Sequence, residues 1–474
     1  MSLLLIPLLG ALLILAFVRG EAARPLSLLA AIANLGLTIA YLFWYNPSDP
    51  YLMLADFSWI PQAGIRFKLG VDGTGLAMLL LTNLLTPLII GSTYSRKLPG
   101  VFYGLVLLMQ AALVGVFTAL DGIVFYVFWE LALLPIYFIC AVWGGEDRIQ
   151  ITLKFFIYTF IGSLFMLLGL IYLQQHAPGQ TFDWADLMKA DLSPVASTWL
   201  TLAFFLAFAI KMPVFPFHTW QPDTYVNAPT GGAMLLSGIM LKMGIYGVIR
   251  WMLPLQAGAE QWYPVFIGLA IIGIIYGSLI AIRLQDIKRI IAYASIAHVG
   301  LIAAGVFAGN ETALQGAILQ MLNNGINIVG LFFVSDIIEN RTKSRQLNEL
   351  GGIAKQAPVF AALFMIIMLG TVAVPLTNGF AGELLLLKGL YEYHIWAAAT
   401  AGLTLILCAV YMLRIYQFAM FGPAKALTEG FRDVRGSELI VLGVIATLVI
   451  VLGVYPQPVL DLTKAATGLL LEMK

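Results

Sequence analysis

Apolar runs long enough to cross a bilayer, separated by short polar connections, recur from one end of this chain to the other. A helix needs about 17 to 25 such residues to traverse the hydrocarbon. The runs predict about fourteen helices, over 2–18, 24–44, 75–94, 100–119, 122–144, 151–174, 196–226, 230–254, 263–284, 288–309, 312–338, 356–390, 394–421 and 437–456. Two of them, 196–226 and 356–390, are too long for a plain span and are interrupted by proline, at Pro213 and Pro216 in the first and at Pro375 in the second. Proline lacks a backbone donor and crowds the preceding turn, so each run is expected to be a helix broken inside the membrane. The stretch from Tyr45 to Thr74 is too polar to span, and FSWIPQAGIRFKLGVDG alternates around Gly64 as a β-hairpin outside the membrane would.

These elements predict one all-α polytopic membrane domain over 1–474. The two broken helices lie five helices apart, and each is followed by a helix with a basic residue, Lys242 before GIYG and Arg414 before IYQF. A unit of five helices repeated in tandem must invert, so 100–254 (helices 4–8) and 263–421 (helices 9–13) are expected to be inverted repeats. Segment 1–99 adds three peripheral helices and the hairpin, and 437–456 adds the last helix.

Composition agrees: 61% of residues are hydrophobic and 11% charged, and the mean hydropathy is +0.92. These values lie outside the range of soluble domains. A net charge of +1 leaves no basic patch for nucleic acid and no acidic tail. Cys140 and Cys408 fall within apolar stretches without metal-ligand spacing and read as packing residues. The apolar start, Met1 to Val18, lacks a basic leader and a cleavage site, so the first helix is expected to be retained. The glycines at 70, 73 and 75 make no nucleotide fingerprint, and no flavin or iron–sulfur site is evident. Lysine and arginine collect in loops after odd-numbered helices, among them Arg19, Arg24, Arg96, Lys97, Arg148, Lys343, Arg345, Arg432 and Arg435. Such loops stay cytoplasmic, so both termini are expected on the outer, periplasmic face of an energy-coupling plasma membrane.

The candidate chemistry lies in the charges inside apolar runs, where each costs at least about 2.5–3.5 kcal/mol on insertion scales and so needs a partner, water or a function. Glu130 lies well inside helix 5, in VFYVFWELALLPIYF. Lys211, in LAFAIKMPVFPFHTW, immediately precedes the first proline break, where free carbonyls leave room for water. Burial disfavours its charge while a nearby carboxylate favours it, so a glutamate partner would switch it between holding and releasing a proton. Lys242 lies midway along helix 8, a relay member or half of a structural ion pair. Glu383 follows the Pro375 break, so a carboxylate is expected to occupy in the second broken helix the kind of place Lys211 occupies in the first. His298, in ASIAHVGLIAAG, bridges proton sites or is a hydrogen-bonded core residue. His218 shuttles protons or caps the frayed backbone, and Lys154 is a relay residue or a snorkelling surface lysine. Arg414 stays charged everywhere, which suits a fixed field better than a proton carrier. Asp223 and Asp336 read as solvated carboxylates near the interfaces.

The segments GVDGTGLAMLLLTNLLTPLI, FWELALLPIYF, KFFIYTFIGSLFML, AIKMPVFPFHTWQPDTYVNAPTGGAMLLSGIMLKMGIYG, DIKRIIAYASIAHVG and GFAGELLLL resemble the antiporter-like subunits of respiratory complex I, specifically the M-type subunit. The resemblance implies fourteen helices with inverted repeats, and proton translocation driven by quinone reduction elsewhere in the complex. It also implies a Glu130–Lys211 pair, Lys242 as central relay, His298 as the helix 10 histidine and Glu383 as the terminal proton site. NADH, FMN, iron–sulfur clusters and quinone would belong to other subunits, and the partners would be neighbouring membrane subunits. One departure is Asn324, in QMLNNGINIVG, where relatives often carry histidine; an amide passes no proton, so a link between His298 and Glu383 is expected to run through water. The chain ends soon after helix 14 without the long lateral helix of the L-type subunit, which favours the M-type. The competing readings are a subunit of a multisubunit cation/proton antiporter without redox chemistry, a structural spacer, and a metabolite transporter.

Overall fold

Apolar helices that must satisfy every backbone group internally pack here around two that are sequestered completely. The computed structural model describes residues 1–18, 20–49, 51–94, 96–255 and 260–472; Arg19, counted above among the basic loop residues, lies outside them. In chain order the principal helices are α1 (Ser2–Phe17), α2 (Ala23–Trp44), α3 (Gly73–Ser92), α4 (Gly100–Thr118), α5 (Gly122–Trp143), α6 (Arg148–His176), α7 (Pro194–Lys211), α8 (Gln221–Asn227) and α9 (Thr230–Leu255). They continue with α10 (Tyr263–Arg283), α11 (Ile287–Ala308), α12 (Glu311–Thr342), α13 (Pro358–Val372), α14 (Asn378–Tyr393), α15 (Ile395–Met420), α16 (Ser437–Val454) and α17 (Gln457–Glu472). Among the described residues twelve helices are long and apolar enough to cross a membrane, and Ser2–Phe17 and Pro358–Val372 are shorter apolar helices. The most apolar stretches of α9 and α12 are wholly buried, whereas α2, α15 and α16 are largely exposed. Polar side chains within those stretches of α9 and α12 are therefore shielded on every side.

The run 196–226 is two helices, α7 and α8, separated by the stretch holding Pro213 and Pro216. The run 356–390 is likewise divided into α13 and α14 around Pro375. Helix α9 is continuous but underwound, with π-helical turns at Leu236–Met240 and Val248–Met252. Such turns rotate the residues that follow them relative to a regular helix.

The hairpin forms around Gly64 as the alternation predicts. Strand β1 (Leu52–Ile60) pairs antiparallel with β2 (Ile65–Val71), with Phe57 opposite Phe67 and Ile60 opposite Ile65. Gly64 adopts φ 68°, a left-handed conformation that favours glycine. The apolar-run pattern misses α17, because this helix is too polar to span. Its buried residues, Val459, Thr463, Ala466, Thr467 and Leu470, recur at helical spacing, and that stripe packs on α3 and α12.

Candidate functional site

Glu130 sits in α5 one turn before Pro135, whose missing N–H leaves the Leu131 carbonyl without its helical partner. The carboxylate lies within electrostatic reach of Lys211 and beside Ser163, and its buried Oε1 has no hydrogen-bond partner. Lys211 is the last residue of α7, where a cation complements the free carbonyls of a helix C-terminus. Its Nζ is buried, has no hydrogen-bond partner, and lies 5.2 Å from the centre of the Trp129 ring. The pair is near but not closed: among the described residues Glu130 and Lys211 form no salt bridge.

The glycines of the GIYG motif carry the next step. A Cβ on Gly244 would come within 2.7 Å of the Met212 backbone nitrogen, so only glycine lets α9 pack against the broken end of α7. Lys242, two residues earlier, is fully buried; its Nζ donates to the Ser237 carbonyl at 2.9 Å and to Asn324 Oδ1 at 2.8 Å. The Ser237 carbonyl lies five residues back, inside the π-helical turn. Asn324 reaches Lys242 because α9 and α12 cross closely; a Cβ on Gly325 would lie 2.8 Å from the Gly238 carbonyl oxygen.

From Asn324 a polar stripe runs along α12. Gln320, Asn323, Asn324 and Asn327 are buried and share one face at helical spacing. Gln320 Nε2 donates to Glu383 Oε1 at 3.1 Å. Asn323 Nδ2 donates to the Asn378 carbonyl at 2.6 Å, and the amides of Asn327 and Asn378 exchange hydrogen bonds at 3.0 Å in each direction. The stripe thus ties α12 to the start of α14. Of its members the sequence reading singles out only Asn324; the helical spacing of four amides inside an apolar run is the signal that reveals the rest.

Glu383 is buried, with His298 Nδ1 3.2 Å from its Oε1. The two groups are within ion-pair distance, although His298 Nδ1 makes no hydrogen bond; the Asn324 amide lies on the side of Lys242. His298 Nε2 faces Cys408 Sγ at 3.4 Å, so this cysteine does more than pack. Glu383 also does not occupy a place equivalent to that of Lys211: Lys211 ends the helix before its break, while Glu383 stands in the second turn of the helix after its own.

Three further candidates lie apart. Lys154 is about half exposed, with Nζ 3.0 Å from the Thr219 carbonyl in the first break and 3.8 Å from Asp223. The ring of His218 stacks on Phe215 and meets Tyr276 edge-on, and its Nδ1 has no hydrogen-bond partner. Arg414 donates to the Ile282 carbonyl at the end of α10 and lies over Phe418.

Asp223 is indeed about 41% exposed. Asp336 is a correction, for it is buried on Arg96, Thr230 and Asn340. The sequence reading also misses a buried ion pair, Arg250 with Asp72 at 2.8 Å, in which the guanidinium lies against the rings of Tyr51 and Trp184. Asp72 is committed further as the N-cap of α3. The partners are 178 residues apart in sequence, and no local signal joins them.

A bundle of membrane-length helices with a row of ionisable and amide side chains buried across its centre defines a polytopic membrane protein of the ion-translocating type. Residues 119–408 match the family model for "NADH:quinone oxidoreductase/Mrp antiporter, TM". NADH-quinone oxidoreductase subunit M of Rickettsia typhi is 38% identical over 471 residues, spanning 96% of this chain and 95% of that protein. F(420)H(2) dehydrogenase subunit M of Methanosarcina mazei is 36% identical, spanning 97% of this chain and 95% of that protein. A chain of respiratory complex I from Thermus thermophilus superimposes with a TM-score of 0.91 at 32% identity, covering 99% of this chain and 100% of that one. The chain therefore belongs to the NADH:quinone oxidoreductase/Mrp antiporter transmembrane family, and resembles M-type subunits over nearly its whole length.

Proposed function

We propose that this chain is a proton-translocating subunit of the membrane arm of an NADH:quinone oxidoreductase. The observation that carries the reading is the buried row Glu130, Lys211, Lys242, His298 and Glu383, with Asn324 and Gln320 between its central and terminal members. Buried ionisable groups at this density are costly unless they move charge. Glu130 and Lys211 stand close without closing into a salt bridge, so a change in either proton occupancy or separation changes the charge felt by Lys242. Lys242 passes the proton by way of water oriented by Asn324, and the Glu383–His298 pair receives it. His218 inside the first break and Lys154 beside it are further relay members, and Arg414 supplies a fixed positive field.

In this reading α7 with α8, and α13 with α14, are the halves of two discontinuous spans; α7 is already among the twelve membrane-length helices, so α1 and the α13–α14 span bring them to fourteen. Residues 100–254 and 263–421 are the inverted repeats. The basic loops face the cytoplasm and both termini face the periplasm of a cell inner membrane. The partners are other membrane subunits of the complex, including neighbouring antiporter-like subunits. NADH, FMN, iron–sulfur clusters and quinone act in subunits other than this one, and the F(420)H(2) relative leaves the electron donor to be established.

The family description also covers Mrp antiporters, which sustains a second reading, a cation/proton antiporter subunit without redox chemistry. Gentle detergent purification through a tag on this chain separates the two. Co-eluting flavin and NADH-oxidising activity supports the first reading; an eluate of small hydrophobic subunits without flavin supports the second.

A further inference from the structure

The break between α13 and α14 frees one carbonyl. In a continuous helix the Thr371 carbonyl would accept from the residue four positions on, which is Pro375 and has no N–H. The thiol of Cys408, on α15, takes that carbonyl instead, with Sγ 3.5 Å from Thr371 O. The same sulfur lies 3.4 Å from His298 Nε2, while Nδ1 of that ring faces Glu383. One S–H is thereby offered two acceptors, a ring nitrogen and the carbonyl at the end of a broken helix.

We propose that Cys408 is a positioning residue whose thiol hydrogen follows the protonation of His298. When Nε2 is bare, the imidazole carries its hydrogen on Nδ1, towards the Glu383 carboxylate, and the thiol donates to Nε2. When the ring is an imidazolium, both nitrogens donate, the sulfur accepts from Nε2, and the S–H turns to the Thr371 carbonyl. The hydrogen stays on sulfur throughout and only the rotation about Cβ–Sγ changes, so no covalent bond is made or broken. The effect is to couple a proton on His298 to the end of α13.

The groups packed around this thiol are Glu383 and Gln320 on the far side of the imidazole, the Thr371 carbonyl, and Tyr411 and Thr404 on neighbouring turns of α15. The Tyr411 hydroxyl lies against the Cys408 sulfur, and the Tyr411 and Thr404 hydroxyls are buried without a settled hydrogen-bond partner, so neither fixes the thiol to one acceptor. Cys140, the other cysteine, is simply buried.

The functional consequence rests on the relay reading, while the geometry can be tested without it. In the full chain carrying Cys140→Ala, Cys408 is the sole thiol and its S–H stretch is directly visible by infrared spectroscopy. The expected band lies below the frequency of a free thiol, stays below it with His298→Leu because the thiol keeps the Thr371 carbonyl, and shifts with Glu383→Gln, which withdraws the charge that favours the imidazolium. A free-thiol band in the parent, or a band that Glu383→Gln leaves unmoved, overturns the proposal. In the intact complex Cys408→Val, which cannot hydrogen-bond, is expected to lower protons pumped per electron about fivefold, and Cys408→Ser to restore most of the loss. Equal pumping by the valine, serine and parent proteins overturns the functional part. Unchanged pumping by Glu383→Gln, with the infrared shift intact, would instead remove the relay reading and leave the thiol geometry standing.

Discussion

The two ends of the buried row are built on different principles. At the Lys211 end an ammonium and a carboxylate face each other without a salt bridge, Nζ and Oε1 lack hydrogen-bond partners, and the cation lies 5.2 Å from the centre of the Trp129 ring. At the Glu383 end the carboxylate accepts from Gln320 and lies 3.2 Å from His298 Nδ1, which makes no hydrogen bond of its own, while His298 Nε2 faces Cys408. An under-bonded buried charge is unfavourable and responds strongly to small movements of its neighbours, whereas a networked one is stable and specific. The first arrangement suits a group whose charge state is to be switched, and the second a group that holds a proton in place. Position in the fold contributes to the contrast, since Lys211 closes the helix before its break and Glu383 stands inside the helix after its own.

The largest effect is expected away from both ends and calibrates them. Asp72→Ala leaves the Arg250 guanidinium buried without its partner, which should cost about 3–5 kcal/mol and lower the thermal stability of the detergent-purified protein sharply. Glu130→Gln should cost far less, because no closed ion pair is broken. A stability loss for Glu130→Gln equal to that of Asp72→Ala would make Glu130–Lys211 an ordinary structural pair and erase the contrast.

Next in size, Lys211→Met should reduce redox-driven proton pumping in inverted membrane vesicles by roughly a hundredfold while the complex still assembles. A normal proton-to-electron ratio in that variant would sink the switching role. Asn324→Leu removes the acceptor that holds the Lys242 ammonium and should lower pumping about tenfold; pumping at the parental rate would show that the amide does not connect the two ends. The smallest effect concerns Asp121, in the turn before α5, which accepts from the backbone N–H groups of Arg66, Ile123 and Val124. Burial raises its carboxyl to about 6. A raised folded-state value means the native protein holds this proton more tightly than the unfolded chain, so stability falls as pH rises from about 4 to about 6. The melting temperature of the parent protein relative to Asp121→Asn should fall across that window, and a flat difference would show that the hydrogen bonds offset burial.

Glu130, Lys211, Lys242, His298 and Glu383 were legible in the sequence because a charge inside an apolar run contradicts its surroundings. The hairpin was legible from alternation around Gly64. Gln320, Asn323 and Asn327 were harder to see, since uncharged amides hardly disturb hydropathy; their significance lies in a shared helix face that the run-length pattern ignores. Helix α17 was missed for the opposite reason, as a polar-faced helix leaves no apolar run. Cys408 looked like packing because its acceptors come from Pro375's effect on Thr371 and from another helix altogether.

By itself the sequence determined where the apolar, membrane-spanning helices form and where they break, because the solvation of apolar side chains and the missing donor of proline act locally. It also determined which side chains would be expensive to bury. Which of those side chains meet was decided only by the tertiary structure. The contacts of Lys242 with Asn324, Arg250 with Asp72, and His298 with both Glu383 and Cys408 join distant parts of the chain. The close approach of Gly238 and Gly325 sets the first of these, and such distances arise from the packing of whole helices rather than from any local pattern.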